Sequence, residues 1–307
     1  MSVLLTPAIL FFIVGLISGF LKNNLTIPEA ITKFLSIYLL ISIGLKGGVA
    51  ISVAGFSSVL IAPILLGIFL SIFIPIVTYI VLKPYLNLND LCAVAATYGS
   101  VSAVTFITAT QLLISLDIAF GGYMTAVMAI MELPAILIAL YLANKNNNNI
   151  LKETIFDGAS FLLLSSLIIG IIIGVDGYAL VSPFTVDLFP GLLSLFLLDI
   201  GIKIANNFEK VKEQNYIILM FSILAPLINA IVALLLAFIF GLSLGNGFLL
   251  MVLAASASYI AVPAVMKHAI PEANPSIYLG MSLGLTFPFN ILLGLPIYYW
   301  LATLLLL

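Results

Sequence analysis

Arginine is absent from this 307-residue chain, and all ten basic side chains are lysine. Charged residues of both signs make up only 7%, against roughly a quarter in a soluble domain. With so few charges there is no basic patch, so nucleic acid is not an expected partner. The chain has one cysteine, Cys92, which excludes a disulfide framework or a cysteine zinc site within one chain and reads as a small packing residue. One histidine, His268, stands without a serine or a metal-ligating partner in its region, so no catalytic pair exists and no enzyme activity is expected. What is present instead is apolar: 64% of residues are hydrophobic and the mean hydropathy is +1.33. An ion in hydrocarbon costs several kcal/mol or more, so this composition fits lipid as the solvent. The fold class expected is an all-α membrane protein.

A span needs about 20 apolar residues to cross about 30 Å of hydrocarbon. Ten segments meet or approach that length, near 3–21, 27–45, 55–82, 89–113, 119–143, 157–175, 185–205, 215–240, 245–268 and 275–305. The first lacks a basic flank and a small-residue cleavage site, so a retained span is expected rather than a removed signal peptide. The third contains Pro63 and Pro75, which predicts a kinked or tilted span. The asparagine tract 146–149 reads as compositional bias. Lysines at 22, 33, 83, 145, 152, 203, 210, 212 and 267 hold or border the odd-numbered connections; only Lys46 borders an even one. Odd connections therefore face the cytoplasm and both termini lie outside.

The two halves carry similar features in the same order, which suggests an internal repeat. Gly15 and Gly19 match Gly170 and Gly174, as small-xxx-small pairs that let helices approach closely. Ile43, Gly44 and Lys46 match Ile200, Gly201 and Lys203. Ala62-Pro63 matches Ala225-Pro226, Ser100 to Thr105 matches Ser258 to Pro263, and Leu133-Pro134 matches Phe287-Pro288. Five spans per half is odd, so the halves would be inverted, an arrangement used by secondary transporters with the site at the midplane. The expected division is a first repeat over 1–143, a short cytoplasmic linker over 144–154, and a second repeat over 155–307.

Polar chemistry gathers in four spans. The fourth reads Ala95-Ala96-Thr97-Tyr98-Gly99-Ser100-Val101-Ser102-Ala103-Val104-Thr105-Phe106, and the ninth Ala254-Ala255-Ser256-Ala257-Ser258-Tyr259-Ile260-Ala261-Val262-Pro263. Gly99 and Pro263 weaken the helix at mid-depth, and serine hydroxyls can satisfy freed backbone groups. If both spans break there, half-helix N-termini point to the membrane centre and attract an anion without any arginine. The competing reading, that Ser and Ala only permit close packing, carries less weight for two matched spans than for one. Glu132 in the fifth span and Asn290 in the tenth, with Ser102 and Ser258, offer the hard oxygen ligands that sodium prefers. Asp199 and Lys203, at i,i+4 spacing, read as a structural ion pair. Asp90 reads as a helix N-terminal residue, and Tyr298, Tyr299 and Trp300 as an interfacial belt.

Thr97 to Phe106 together with Ala255 to Pro263 resemble the sodium-dependent bicarbonate transporter family, and the similarity runs over essentially the whole chain. The resemblance implies ten transmembrane helices in two inverted five-helix repeats, with broken, crossed fourth and ninth helices and with core and gate domains each built from both repeats. It implies a plasma-membrane sodium/bicarbonate symporter working by alternating access, with sodium as a transported ion rather than a prosthetic group, and a homotrimer in the bilayer. Carried over position by position, the anion would be held by Gly99, Ser100, Val101, Ser102, Ala103 and Thr105 with Ser256, Ala257, Ser258 and Tyr259. Members with a long linker bind a PII-like regulatory protein; the linker at 144–154 is short, which argues against linker-dependent control here. Two alternatives stay open at this point: a sodium-coupled symporter of another small organic anion, and a non-transporting membrane receptor or scaffold. A proton antiporter is disfavoured, because no pair of aspartates occupies the middle of the fourth or fifth span.

Overall fold

A computed structural model describes residues 7–54, 58–143, 158–206 and 215–307, and among these there is no strand. Twelve helices are numbered here in chain order. They are α1 (Pro7–Phe20), α2 (Glu29–Ala54), α3 (Ser58–Leu82), α4 (Leu88–Gly99), α5 (Ala103–Ser115) and α6 (Met124–Leu142) in the first half. The second half holds α7 (Gly158–Ser182), α8 (Phe189–Asn206), α9 (Tyr216–Ile239), α10 (Leu244–Ala255), α11 (Ala261–Ala269) and α12 (Pro275–Leu306). The linker at 144–154 lies outside the described residues.

Among the described residues, eight helical segments are long and apolar enough to cross a membrane, with α4 and α5 counted as one. The first and ninth expected spans are shorter. Helix α1 has 14 described residues, about 21 Å of helix. Helix α10 has 12 and ends where the chain leaves helical geometry. Two expected boundaries were too early: α2 runs on to Ala54, and α7 continues through a π-helical turn, Pro183–Asp187, before α8 begins. Helix α12 also contains π-helical turns, Gly280–Thr286 and Asn290–Gly294, on either side of Pro288. Such turns absorb the hydrogen bond that a proline removes. In α3, by contrast, Pro63 and Pro75 lie inside one helix.

The helices pack in two groups. Helices α1, α2, α7 and α8 form one, with α1 against α8 and α2 against α7. The other comprises α3 to α6 and α9 to α12, with α3 on α4 and α6, and α9 on α10 and α12. Each pairing in one half has its counterpart in the other. Burial differs most between two spans: 94% of the apolar stretch of α4–α5 is covered, against 17% of that of α7. The broken span is therefore the centre, and α7 is an outer helix.

Glycines make the α1–α8 and α2–α7 contacts possible. A Cβ on Gly201 would lie 2.5 Å from Phe12 O and 2.8 Å from Leu16 N. A Cβ on Gly44 would lie 2.6 Å from Ser166 Cβ, 2.8 Å from Leu163 O and 3.1 Å from Leu167 N. The two environments correspond residue for residue if Gly15 is equated with Ser166 and Gly19 with Gly170. The structure thus shifts the expected match of Gly15 with Gly170 by one helical turn. Gly174 is not a packing glycine. It has φ +58° and no atom near its missing Cβ, and it bends α7 in a conformation that side chains resist.

Side-chain bonds fix the breaks relative to their neighbours. Tyr98 Oη and Thr286 Oγ1 are 2.6 Å apart, and Thr286 donates to Ser222 O, so one chain of hydroxyls links α4, α12 and α9. Asp90 does lie in the first turn of α4, where the N-cap Asn87 accepts from its amide through Oδ1; the Asp90 carboxylate also accepts from Asn274 N before α12. Asp199 is 2% exposed, pairs with Lys203 at 2.6 Å and accepts from Thr32 Oγ1 at 2.7 Å. The pair thus reads as structural, a tie between α8 and α2. Tyr298 corrects the expected aromatic belt: it is fully buried, while Trp300 is exposed.

Candidate functional site

The fourth and ninth apolar segments both lose helical geometry in their middles. Helix α4 ends at Gly99, where a side chain would collide with the Pro75 ring, 2.6 Å from the position of a Cβ. Ser100 is extended at φ −89°, ψ −178°, and Ser102 at φ −99°, ψ 107° restarts the chain as the N-cap of α5. Ser102 Oγ accepts from Thr105 N at 3.2 Å and from Thr105 Oγ1 at 2.9 Å. In the second half, α10 ends at Ala255, Ser256 is extended, and the chain resumes helix at Ala261. Ser258 Oγ accepts from Val262 N at 3.2 Å. Each serine thus holds the first turn of the helix that follows, Ser102 from the N-cap position and Ser258 from two residues before the N-cap Ile260, a pairing two positions from the sequence match of Ser100 with Ser258. Pro263 falls inside the first turn of α11, where a proline is tolerated, and not at the break itself.

The two breaks are bonded to each other. Ser102 N donates to Ser256 Oγ at 2.9 Å, and Ser258 N donates to Thr97 O at 2.8 Å. Ser256 Oγ in turn donates to Leu253 O, and Asn290 Nδ2 donates to Ala255 O at 2.8 Å. These bonds satisfy carbonyls that a helix end leaves orphaned in a medium without water. Helix α10 also packs on α5, and α11 on α4. Each half-helix thus touches the opposite half of the other broken span.

A small cavity, about 30 Å³ for water centres, lies against the breaks. A buried water needs about 10–15 Å³ on that measure, so the space suits two or three waters or one small ion. Its wall takes Val101, Ser102, Ala103 and Val104 from the first break and Ser258, Tyr259 and Ile260 from the second. Glu132 of α6 joins them and is 6% exposed. The opposite wall is Ser36, Leu39, Leu40 and Ile43 of α2 with Phe196 of α8. The cavity therefore lies where the two helix groups meet.

Of the residues expected to bind, Val101, Ser102, Ala103, Ser258, Tyr259 and Glu132 line this space. Gly99, Ser100, Thr105, Ser256 and Ala257 stand behind them. Gly99 makes room for Pro75, Thr105 and Ser256 hold Ser102, and Ser100 and Ala257 are buried in the breaks. Asn290 is not brought to the cavity. Its amide donates to Ala255 O and its carbonyl accepts from Tyr298 Oη at 2.8 Å, so both groups serve helix packing. The wall from α2 and Phe196 was missed, because apolar residues in an apolar span carry no distinguishing signal.

Three features give the cavity chemical character. The amides of Ala103 and Val104 begin α5, where geometry supplies no intrahelical acceptor and the helix end carries partial positive charge. Ser102 and Ser258 use their oxygens as acceptors but keep their own hydroxyl protons to donate. Tyr259 Oη is buried, lies close enough to Ser102 to feel it, and makes no hydrogen bond of normal geometry. A buried hydroxyl without a partner costs about 1–3 kcal/mol, which a bound oxygen would relieve. Donors converge from one side and the Glu132 carboxylate stands on the wall. The arrangement suits an anion and a cation held together.

No curated protein matches the chain as a relative. A protein family does: its description, Na+-dependent bicarbonate transporter superfamily, matches residues 7–303. With nearly the whole length matched, and with apolar helices that make it a multi-pass membrane protein, the chain belongs to the Na+-dependent bicarbonate transporter superfamily and is a transporter rather than an enzyme.

Proposed function

We propose that this chain is a symporter that carries bicarbonate with sodium through the cavity between the two breaks. The observation that carries the reading is the convergence of two serine-bearing breaks and an unpartnered Tyr259 hydroxyl on a space of about 30 Å³. That size favours bicarbonate over larger organic anions. Bicarbonate accepts from Ser102, Ser258, Tyr259 and the first amides of α5, and the α5 N-terminus adds favourable potential. Sodium sits within reach of Glu132, Ser102 and Ser258, so that cation and carboxylate offset the anion. Asn290 is left out of the sodium set because its amide is committed elsewhere.

The transport cycle is alternating access. The group α1, α2, α7 and α8 is the gate, and α3 to α6 with α9 to α12 is the core; the two slide past each other across the cavity. Support comes from the apolar wall that α2 and Phe196 present to the polar breaks, and from the matched pairings of the two halves. That matching also supports two inverted five-helix repeats, 1–143 and 155–307, with crossed breaks. A plasma-membrane location with both termini outside belongs to the same reading, as does a homotrimer.

Uptake of labelled bicarbonate into proteoliposomes, with and without an inward sodium gradient at fixed pH, tests the proposal. Sodium-dependent uptake lost in Glu132→Gln supports symport through this cavity. Sodium-driven movement of a different small anion, with none of bicarbonate, would discard the substrate and keep the site. No sodium-driven flux of any anion would sink the reading.

A further inference from the structure

A second, larger cavity of about 220 Å³ adjoins the first. Ile43 lines both. From there the second cavity follows α2 through Ser42 and Lys46, and α5 through Thr110, Gln111 and Ile114. It is closed by Thr185 and Val186 in the π-helical turn and by Phe189 and Pro190 at the start of α8. Ala103 and Gln111 are eight residues apart on α5, about 12 Å along the axis. The ends of α2 and α5 and the beginning of α8 all lie at connections that the lysine distribution assigns to the outer side.

Lys46 has an informative counterpart. Its match in the second half, Lys203, pairs with Asp199 one turn earlier. The residue one turn before Lys46 is Ser42, so the acid is missing. Among the described residues no carboxylate pairs with Lys46. Asp187 ends the nearby π-helical turn, but it does not line the cavity. Ser42 gives an independent sign of a ligand. It is 2% exposed, lines the cavity, and its Oγ has no hydrogen-bond partner. Tyr38, one turn back, is close enough to interact with Ser42, but its hydroxyl donates to Phe184 O and no contact to Ser42 Oγ meets hydrogen-bond geometry. A cation without a counter-ion, a free buried hydroxyl donor and the Gln111 amide thus face one cavity with room for a small anion and several waters.

We infer that this cavity is an outer staging site for a small oxyanion of the bicarbonate class, held by Lys46 and Ser42 before it passes Ile43 to the breaks. As a staging site it rests on the transport reading above; as an anion site it does not. Lys46 raises the local anion concentration, and Ser42 donates to an anion oxygen. The substrate crosses the Ile43 constriction when the two helix groups move.

Thiol labelling tests the site without requiring transport. In a Cys92→Ala background, Gln111→Cys or Ile114→Cys is exposed to membrane-impermeant anionic and cationic methanethiosulfonates from the outer face of right-side-out vesicles. Both cysteines should react, with the anionic reagent favoured several-fold relative to its rate on a free thiol. Lys46→Gln should abolish that preference, Lys46→Arg should restore it, and bicarbonate should slow the reaction. Absence of labelling at both cysteines, or a charge preference unchanged in Lys46→Gln, overturns the inference. A preference that depends on Lys46 in a protein moving no bicarbonate would keep the anion site and discard the substrate reading. Where uptake is present, Lys46→Gln should raise the bicarbonate KM several-fold at low ionic strength. The difference should shrink as choline chloride screens the field.

Discussion

The two breaks do the same job with different amounts of chain. The first spans three residues, Ser100 to Ser102, and its cap Ser102 makes three bonds: two accepted from Thr105 and one amide donated to Ser256. The second spans five, Ser256 to Ile260, and Ser258 reaches Val262 across Tyr259, Ile260 and Ala261. The shorter break is a fixed cradle. The longer one places an aromatic hydroxyl on the cavity wall, braced by a Tyr259–Phe287 ring contact at 5.0 Å. The difference teaches that a matched pair of breaks need not share the work evenly.

That asymmetry can be tested by removing equivalent atoms from each half. The largest effect is expected where backbones touch. Gly201→Ala places a methyl 2.5 Å from Phe12 O, and overpacking of this kind costs about 1–3 kcal/mol or more. Folded protein, followed by size-exclusion chromatography after heating, should fall sharply. Gly44→Ala meets Ser166 Cβ among its closest atoms, so it should be milder and partly restored by Ser166→Gly. Equal losses, with no rescue, would break the correspondence between the two contacts.

Next in size is Ser102→Ala, which removes a helix cap worth about 0.5–2 kcal/mol together with an anion donor. Bicarbonate uptake should drop at least tenfold. Ser258→Ala loses one accepted bond and one donor, so its deficit should be smaller by several-fold. If Ser258→Ala is the worse of the two, the assignment of cradle and wall is reversed. The smallest effect on coupling is expected for Asn290→Ala. It strips the carbonyl of Ala255 and the hydroxyl of Tyr298 of partners, so thermal stability should fall while the KM for sodium stays at the wild-type value. A raised sodium KM would return Asn290 to the cation site.

Much of this was legible in the sequence, and the reasons differ by residue. Ser102 and Ser258 stood out because hydroxyls near Gly99 and Pro263 at mid-span, in two matched spans, have few structural excuses in lipid. Glu132 stood out for its charge. Asn290 stood out by the same logic, but its bond to Ala255, 35 residues away, was not legible, because only folding brings the two together. Gly174 looked like Gly170 because glycine serves both a close approach and a positive φ, and sequence does not separate the two uses. The register of the small-residue match was a turn off for a related reason: Ser166 does at one contact what Gly15 does at the other. The cavity's second wall was invisible, since Leu39, Leu40, Ile43 and Phe196 are the same residue types that face lipid elsewhere.

The most direct test is the bicarbonate KM of Tyr259→Phe at saturating sodium, measured beside its melting temperature. The hydroxyl has no protein hydrogen-bond partner, so its removal should leave the melting temperature unchanged or raise it slightly. A lost hydrogen bond to a charged ligand is worth about 1.5–3 kcal/mol, so KM should rise about tenfold or more. An unchanged KM would contradict the claim that bicarbonate is held between the two breaks.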